Sequence, residues 1–481
     1  MRARIFAEEN KKWWTLGAVS FGLFMIMLDN TIVNVALPSI QRDLNIGISE
    51  LEWVVNGYAL TFAVLMLTGG KLADLFGRRL IFMVGLAIFT AASLACGLAP
   101  SAGFLIGARV VQGVGAALMN PATLSIITAT FPPRQRGMAI GIWAGVSALA
   151  LAIGPLVGGV ITQHISWSWV FFINVPVGIL AIVVARLVIQ ESRDTSAEQR
   201  LDLPGLLTSA IGLFALIYAL IEANTYGWTS ARILSLFAVA AMGLVAFVVL
   251  ELRQRVPMLD LSLFRNPIFA GANTIMLLVA LAMFGVFFYV SLYVQNILHY
   301  SPTQAGATFL PMTLCIVFLA PIAGKLTDRF GPRWLIASGM TLVAGSLVVF
   351  AQLDQTSNFW NIFPGLLIGG AGMAMAMAPT TATAMHAVPV DKAGVGSAVL
   401  NSMRQVGGSL GIAIMGAIVA SYVHSPVTDP RAVGEFIDGF QRSLLVAAGI
   451  AFTAAIVAVV TLRKPELEPA EEPVHVSEVA A

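Results

Sequence analysis

Two ionisable residues, Asp29 and Arg109, lie inside long apolar stretches of the sequence. A charged side chain in a membrane-spanning helix is costly and commonly belongs to a proton or substrate pathway. At 1.5 Å per residue, Asp29 lies about 13 Å along its helix from Pro38, which ends the first apolar stretch. Arg109 lies about 9 Å from the end of its own stretch that is on the same predicted side of the membrane. If the fold brings the two together, the cation favours the carboxylate while burial favours the neutral carboxyl. The pair would then respond to water or substrate nearby; a purely structural ion pair is the alternative interpretation.

Uncharged polar residues occupy the same apolar stretches. Gln112 follows Arg109 by three residues and therefore shares its helical face. Such groups either line a cavity or form hydrogen bonds between helices, and the sequence leaves both interpretations open. The candidates for a substrate cavity are Asn30, Asn34, Asn56, Tyr58 and Gln112.

Two further charged residues have no role that the sequence identifies. Glu222 closes an apolar stretch, where a solvated helix end is the favoured interpretation. Arg404 lies well inside another stretch, beside Gln405. Because lipid is a costly environment for a guanidinium, Arg404 must face polar surroundings, but the sequence does not identify its partner.

The composition indicates the kind of element that must position these residues. Of the 481 residues, 58% are apolar and 11% are charged, against roughly 25% charged in ordinary soluble domains. This balance excludes a soluble enzyme and a disordered chain, and a net charge of +2 gives no attraction to nucleic acid. The apolar runs are continuous rather than alternating, so helices and not the strands of a barrel are predicted.

Basic residues test the number of membrane spans. The apolar runs predict 14 transmembrane helices, and 21 of the 27 lysines and arginines then fall on the side of the N-terminus, with four opposite and two inside spans. Cytoplasmic loops are enriched in these residues. The chain is therefore predicted to be a multi-pass protein with both termini cytoplasmic. Its arginine-rich, alanine-rich composition favours a bacterial plasma (inner) membrane.

An internal repeat indicates two lobes. The segment 70–79 (GKLADLFGRR) recurs as 324–333 (GKLTDRFGPR) on the same predicted side of the membrane. Parallel repeats are typical of two-lobed transporters. The predicted fold is an all-α integral membrane protein of two six-helix bundles plus two inserted helices. The predicted divisions are a cytoplasmic N-terminus 1–13, a first lobe 14–189, a linker 190–204, the inserted pair 205–250, a second linker 251–267, a second lobe 268–462 and a disordered cytoplasmic tail 463–481.

The repeated loop is a candidate cytoplasmic latch. Asp74 is an acidic residue in a basic loop and could bond a helix N-terminus or a nearby arginine. The second copy departs from the first, with Arg329 for Leu75 and Pro332 for Arg78. The latch candidates are Gly70, Lys71, Asp74, Gly77, Arg78 and Arg79, with Asp328 and Arg333 in the second copy.

Small residues four apart in the fifth span form a face that another helix could approach closely. Gly141 and Gly145 belong to this spacing, and Pro155 adds a bend. The face either packs statically or forms a surface on which the two lobes seal and reopen. The residues assigned to this packing are Gly154, Pro155, Gly158 and Gly159.

Four motifs in order resemble the major facilitator superfamily, in particular its branch of fourteen-span drug:proton antiporters. The repeated loop resembles the superfamily signature, and segments 28–38 (LDNTIVNVALP), 109–115 (RVVQGVG) and 154–159 (GPLVGG) resemble the branch's motifs in spans one, four and five. The resemblance runs from about residue 14 to residue 462. It implies proton coupling at Arg109 and a span-five seal that distinguishes exchangers from uptake carriers.

These observations favour proton-coupled efflux of amphipathic or cationic small molecules by alternating access. Narrow export of one metabolite, such as an antibiotic or siderophore, is the alternative, and a proton-translocating respiratory subunit is less favoured because no lysine lies mid-span. With no phosphate-binding loop and no catalytic or metal arrangement, neither an enzyme nor a cofactor is expected, and the proton gradient would supply the energy. The expected partners are substrate, protons and lipid; we expect a monomer and leave a periplasmic adaptor protein open.

Overall fold

The structure is a computed structural model that describes residues 8–193, 202–254, 257, 259–388, 393–425, 429 and 431–462. Within these ranges, 14 helices are long and apolar enough to cross a membrane, which confirms the predicted number and the all-α class. The predicted tail, together with part of the N-terminus and of both linkers, lies outside the described residues.

Most of the helices extend past their apolar runs at one end or both. Three spans are interrupted: the sixth and the tenth each consist of two α-helical pieces, and the ninth ends in a π-helical turn at Tyr293–Ile297. The helices are α1 (Glu8–Leu44), α2 (Ile48–Phe76), α3 (Arg78–Gly97), α4 (Ala102–Thr130), α5 (Pro133–His164), α6 (Trp169–Phe172 with Asn174–Val188), α7 (Leu203–Tyr226), α8 (Ala231–Arg253), α9 (Pro267–Leu292), α10 (Pro302–Thr308 with Leu310–Phe330), α11 (Pro332–Phe350), α12 (Phe359–His386), α13 (Ala393–Tyr422) and α14 (Arg431–Thr461).

The predicted repeat is visible in the way the helices pack. In the first lobe α4 packs against α2 and α3, α1 packs against α5, and α6 packs against α1 and α3. The second lobe repeats each of these pairings, with α9 to α14 taking the places of α1 to α6. Two bundles of six helices with one shared pattern are therefore present.

Three pairs of helices form most of the contact between the two lobes. The pairs are α2 with α13, α5 with α10, and α1 with α9. The α2–α13 and α5–α10 pairs are equivalent, because α10 and α13 take the places of α2 and α5 in the second lobe. The third pair consists of the first helices of the two lobes. We call the face where α1 begins and α14 ends the N-face, and the opposite face, where the α1–α2 and α9–α10 connections lie, the far face.

The inserted pair covers only one of these seams. Helix α7 packs against α8, α2 and α13. Its side chains Ile217 and Ile221 pack on Leu60 of α2 and Ala413 of α13. Apolar burial of this kind stabilises the contact at roughly 25 cal/mol per Å², so α7 is a lid along the α2–α13 seam.

Helix α1 does not end at Pro38, as the sequence had suggested, but continues to Leu44. Proline lacks an N–H and therefore leaves the carbonyl four residues earlier without its helical donor. That carbonyl belongs to Asn34, and the Ser291 hydroxyl of α9 donates to it over 2.9 Å. A helix kink in the first lobe thus provides an acceptor for the second lobe.

Candidate functional site

Asp29 of α1 and Arg109 of α4 form a buried ion pair. Arg109 Nη1 lies 2.5 Å from Asp29 Oδ2, and both residues are at most 1% exposed. Arg109 Nε also donates to the Val54 carbonyl of α2 over 3.0 Å. The structure therefore brings together the two residues that the sequence singled out, and ties them to a third helix.

Gln112 completes this cluster. Its amide nitrogen donates to Asp29 Oδ1 over 3.0 Å and to Ser93 Oγ over 2.8 Å. Its amide oxygen accepts from Arg109 Nη1 over 2.6 Å. Asn174 of α6 reaches Asp29 Oδ1 more weakly, at 3.5 Å. Of the two interpretations left open for Gln112, hydrogen bonding between helices is the one that the structure shows.

Tyr58 and Asn56 of α2 lie beside the cluster, both buried. The Arg109 guanidinium lies 4.3 Å from the centre of the Tyr58 ring, a distance at which a cation is attracted to an aromatic face. The Tyr58 hydroxyl and both amide atoms of Asn56 have no hydrogen-bond partner. Buried polar atoms are nearly always paired, so these groups have hydrogen-bonding capacity that no described neighbour uses.

Asn30 and Asn34 are only partly buried, and they bond within α1. Asn30 Nδ2 donates to the Ile26 carbonyl and Asn34 Nδ2 to the Asn30 carbonyl. The structure does not join either side chain to the ion pair. Their partial exposure, inside a bundle, is compatible with lining a cavity.

In the first copy of the repeated loop, Asp74 has one of its two predicted partners, a nearby arginine. Asp74 pairs with Arg78, four residues later, over 3.0 Å. The N-terminus of α3 is instead capped by Glu191, which accepts from the backbone N–H groups of Arg79 and Leu80. Sequence reasoning missed Glu191, whose only signal was its place just after the sixth span.

The glycines of the loop have separate uses. Gly77 has φ +118°, which favours glycine, and a Cβ there would meet the Glu191 carboxylate at 2.6 Å. Gly70 lies against Pro121 of α4. Lys71 and Arg79 are partly buried, and Arg79 Nη1 donates to the Ile189 carbonyl. All of these contacts lie within the first lobe and the start of the linker that follows it.

The second copy of the loop shows a looser arrangement. Arg333 lies over the Trp334 ring at 5.2 Å, and its Nε is buried without a partner. Asp328 lies in α10, but its side chain is outside the described residues. Pro332 stands at the position of Arg78, so an ion pair equivalent to Asp74–Arg78 has no basic partner at this position.

The fifth-span glycines divide between two uses. Gly154 and Gly158 pack on Thr31 and Ile32 of α1, inside the first lobe, where a Cβ would overlap these neighbours. Gly159 and Pro155 instead contact the second lobe: a Cβ at Gly159 would overlap the Pro302 carbonyl, and the Pro155 carbonyl abuts Gly306. The four residues therefore contact both α1 of their own lobe and α10 of the second lobe, and their role in sealing and reopening stays a prediction.

The earlier part of the small face was wrongly interpreted. Gly141 and Gly145 are exposed, and a Cβ at either would have nothing within 4 Å. In this structure no neighbour approaches these two glycines closely, whereas Gly154, Gly158 and Gly159 further along α5 are in close contact with α1 and α10. Spacing alone could not show which face a neighbour occupies.

The structure shows the environment of Glu222 and of Arg404. Glu222, at the far end of α7, is partly buried and accepts from the Ser49 hydroxyl over 2.9 Å, so it is not simply a solvated helix end. Arg404 lies in α13 with a buried Nε that has no partner. No acid pairs with Arg404 among the residues that the structure describes.

Sequence reasoning missed one buried carboxyl altogether. Glu52 of α2 is 3% exposed and accepts a hydrogen bond of 2.6 Å from the Tyr289 hydroxyl of α9. In the sequence, Glu52 stands at the start of the apolar run of the second span, a position that indicates a carboxyl at the membrane surface. The helix in fact begins at Ile48, so Glu52 lies a full turn inside it.

Comparisons with known proteins agree with this architecture. A family model described as "Major Facilitator Superfamily" matches residues 19–412. The tetracenomycin C resistance and export protein of Streptomyces glaucescens is 38% identical over 85% of this chain and 76% of its own length. The puromycin resistance protein of Streptomyces alboniger is 38% identical over 85% and 82%. The multidrug resistance protein Stp of Mycobacterium tuberculosis is 37% identical over 84% and 75%.

Solved structures give the same fold. A bacterial homologue of the human lysosomal transporter Spinster, in an inward-facing and unoccupied conformation, superposes with a TM-score of 0.67. The match covers 95% of this chain and 99% of that chain at 17% identity. At this identity the likeness concerns the fold alone.

Proposed function

Because this chain belongs to the major facilitator superfamily, whose members are transporters rather than enzymes, we propose that it exports drug-like small molecules in exchange for protons. The observation that carries the proposal is the buried cluster of Asp29, Arg109 and Gln112. A membrane-buried acid with a fixed cation is the element that a proton-driven carrier needs. The similar proteins are described as drug-resistance and export proteins, which supports export.

The exchange of protons for substrate would follow from the net charge of the cluster of Asp29, Arg109 and Gln112. With Asp29 ionised, the carboxylate balances Arg109, and the cluster is neutral overall. A proton on Asp29 leaves the Arg109 charge uncompensated, although Gln112, the Val54 carbonyl and the Tyr58 ring still solvate it. In a weakly polar interior this added charge repels a cation at 4 Å by several kcal/mol. Proton and cationic substrate would therefore occupy the lobe alternately.

The substrate class is proposed to be amphipathic or cationic. The partly exposed amides of Asn30 and Asn34 would meet polar groups of the substrate, and apolar helix faces would meet its rings. Narrow export of one antibiotic is the second candidate, because two of the similar proteins are described by a single antibiotic each. A susceptibility panel, with and without the gene, separates the two: broad export protects against several unrelated drugs.

We further propose that the N-face is cytoplasmic and that the membrane is the bacterial inner membrane. The support is the concentration of basic residues on that side. We propose that a monomer is sufficient, with the proton gradient as the energy source and no cofactor; a periplasmic adaptor protein would be an addition to this unit.

The test is ethidium efflux from whole cells, with and without a protonophore. We expect the protonophore to abolish efflux, and Asp29→Asn to abolish it in an otherwise correctly inserted protein. Asp438→Asn is the matched control, because Asp438 is exposed on α14 and should leave efflux unchanged. Normal gradient-driven efflux by Asp29→Asn would refute the assignment of Asp29.

A further inference from the structure

Glu52 lies at the seam between the two lobes, near the far face. It accepts from Tyr289 of the second lobe over 2.6 Å. Its carboxyl also fits against Gly416 of α13, where a Cβ would overlap it. One carboxyl of the first lobe is thus enclosed by two helices of the second.

No cation balances Glu52. Among the described residues it has no ion pair. Helix α9 places the neutral phenol of Tyr289 against Glu52, and helix α13 places Gly416 against it. From α7, Glu222 is near enough to interact electrostatically, and it is itself an acid. From α4, Arg109 bonds the Val54 carbonyl next to this turn, but its charge is matched by Asp29.

Burying an unpaired charge costs far more than one neutral hydrogen bond returns. In the closed arrangement of the seam, Glu52 is therefore a neutral carboxyl. Separation of the lobes at the far face would remove Tyr289 and Gly416 and admit water. A hydrated glutamate is ionised at neutral pH, so the open and closed arrangements hold different numbers of protons.

We propose that Glu52 is a second proton-binding group of the transporter, which takes up one proton from the far side each time the far-face seam closes. This rests on the alternating access of the proposed function. The carboxylate accepts a proton from hydronium, water is released, and the neutral acid then packs against Tyr289 and Gly416. Opening reverses the step. Acid on the far side therefore favours closure independently of Asp29.

Helix α7 supports this position. Near Glu52, Glu222 of α7 accepts from Ser49 of α2, and Asn224 Nδ2 of α7 donates to the Ala417 carbonyl of α13 over 2.7 Å. The inserted helix thus bonds both lobes beside this carboxyl and covers the seam on its outer side. It restricts the entry of water to Glu52 to the far-face opening.

The experiment measures the distance between the two lobes rather than the rate of transport. Spin labels at His164→Cys and Gln355→Cys, in full-length protein lacking Cys96 and Cys315, report the distance between exposed far-face positions of the two lobes. All measurements use a parent in which Asp29→Asn is combined with Arg109→Gln, without substrate, so that both charges of the buried ion pair are removed together and no uncompensated cation is left near Glu52. Because one proton is linked to closure, the closed-to-open ratio should rise by up to about tenfold per pH unit on acidification.

Three variants test whether Glu52 is the group that binds the proton on closure. Glu52→Gln is neutral and nearly isosteric, so we expect it to be closed with no pH dependence. Glu222→Gln should keep the pH dependence, because Glu222 is only partly buried. Tyr289→Phe keeps the carboxyl and should also keep a pH dependence. An unchanged pH dependence in Glu52→Gln, or none in the parent with Asp29→Asn and Arg109→Gln, would overturn the proposal.

The outcome is separable from that of the export proposal. Distances are measured in purified protein, so a chain that moves with pH but exports no drug would refute the proposed function and leave the role of Glu52 intact. Conversely, efflux that requires Asp29, in a protein whose seam ignores pH, would refute only the role of Glu52.

Discussion

The Ser291 hydroxyl of the second lobe donates a 2.9 Å hydrogen bond to the Asn34 carbonyl of the first, an acceptor that Pro38 leaves without its helical donor. The same stretch of α1 receives a second bond across the lobes, from Gln295 Nε2 to the Val35 carbonyl over 3.0 Å. The far face is therefore joined through two neighbouring backbone carbonyls of α1, of which Pro38 has made that of Asn34 available.

We expect Ser291→Ala to weaken closure of the far face, because a buried carbonyl would lose its donor at a cost of about 1–3 kcal/mol. Pro38→Ala supplies the missing N–H within α1. In the double variant, Ser291→Ala should therefore cost much less. Spin-label distances across the far face measure both effects, and equal costs in the two backgrounds would contradict this explanation.

Gln112→Leu should impair proton-coupled efflux while the protein remains inserted. The change removes charge-assisted hydrogen bonds to Asp29 and Arg109, each worth about 1.5–3 kcal/mol, so the efflux rate should fall tenfold or more. Cys96→Ala is the control, since the thiol reaches Gln112 Oε1 only at 3.8 Å. Dye efflux in whole cells is the measurement; equal activity of both variants would show that Gln112 is dispensable.

Gly159→Ala should hinder closure of the lobes, because the added methyl would overlap the Pro302 carbonyl. Gly145→Ala makes the same chemical change on the same helix, where nothing lies within 4 Å. We expect efflux to be lost in the first variant and retained in the second. A harmless Gly159→Ala would mean that the α5–α10 seam yields more readily than the geometry indicates.

Glu191→Ala should lower the thermal stability of the protein in detergent. Glu191 supplies acceptors to two N–H groups at the start of α3, and caps of this kind are worth about 0.5–2 kcal/mol. Asp74→Asn removes only a partly exposed pair, worth about 0.3–0.5 kcal/mol. The melting temperature should therefore fall more for Glu191→Ala, and the reverse order would restore Asp74 as the main contact of this loop.

The loop between α11 and α12 should loosen in acid. Hydrogen bonds from Thr356 and Ser357 hold the pKa of Asp354 below its usual value. A lowered folded-state pKa stabilises the fold above the unfolded-state pKa, and the benefit is lost as the pH falls through the folded-state pKa. Protease cleavage within 351–358 should thus increase below about pH 4 in the natural chain, and Asp354→Asn should be cleaved alike at all pH values.

Much of the fold follows from the sequence, because membrane helices are determined by local properties. A bilayer requires about 20 apolar residues per helix and satisfied backbone groups, so apolar runs give the number of spans. The repeat at 70–79 and 324–333 gave the two lobes. The scarcity of charge inside the spans singled out Asp29 and Arg109, since a charged side chain in a membrane span must be stabilised by polar contacts.

Tertiary structure alone decided which groups meet. The sequence could not show that Gln112 bonds both ions, that Gly159 rather than Gly145 touches the other lobe, or that Glu191 caps α3. It also missed Glu52, because a carboxyl at a span boundary is read as solvated until a second lobe covers it. These facts depend on how helices distant in sequence are rotated and placed against one another, which spacing along one helix does not determine.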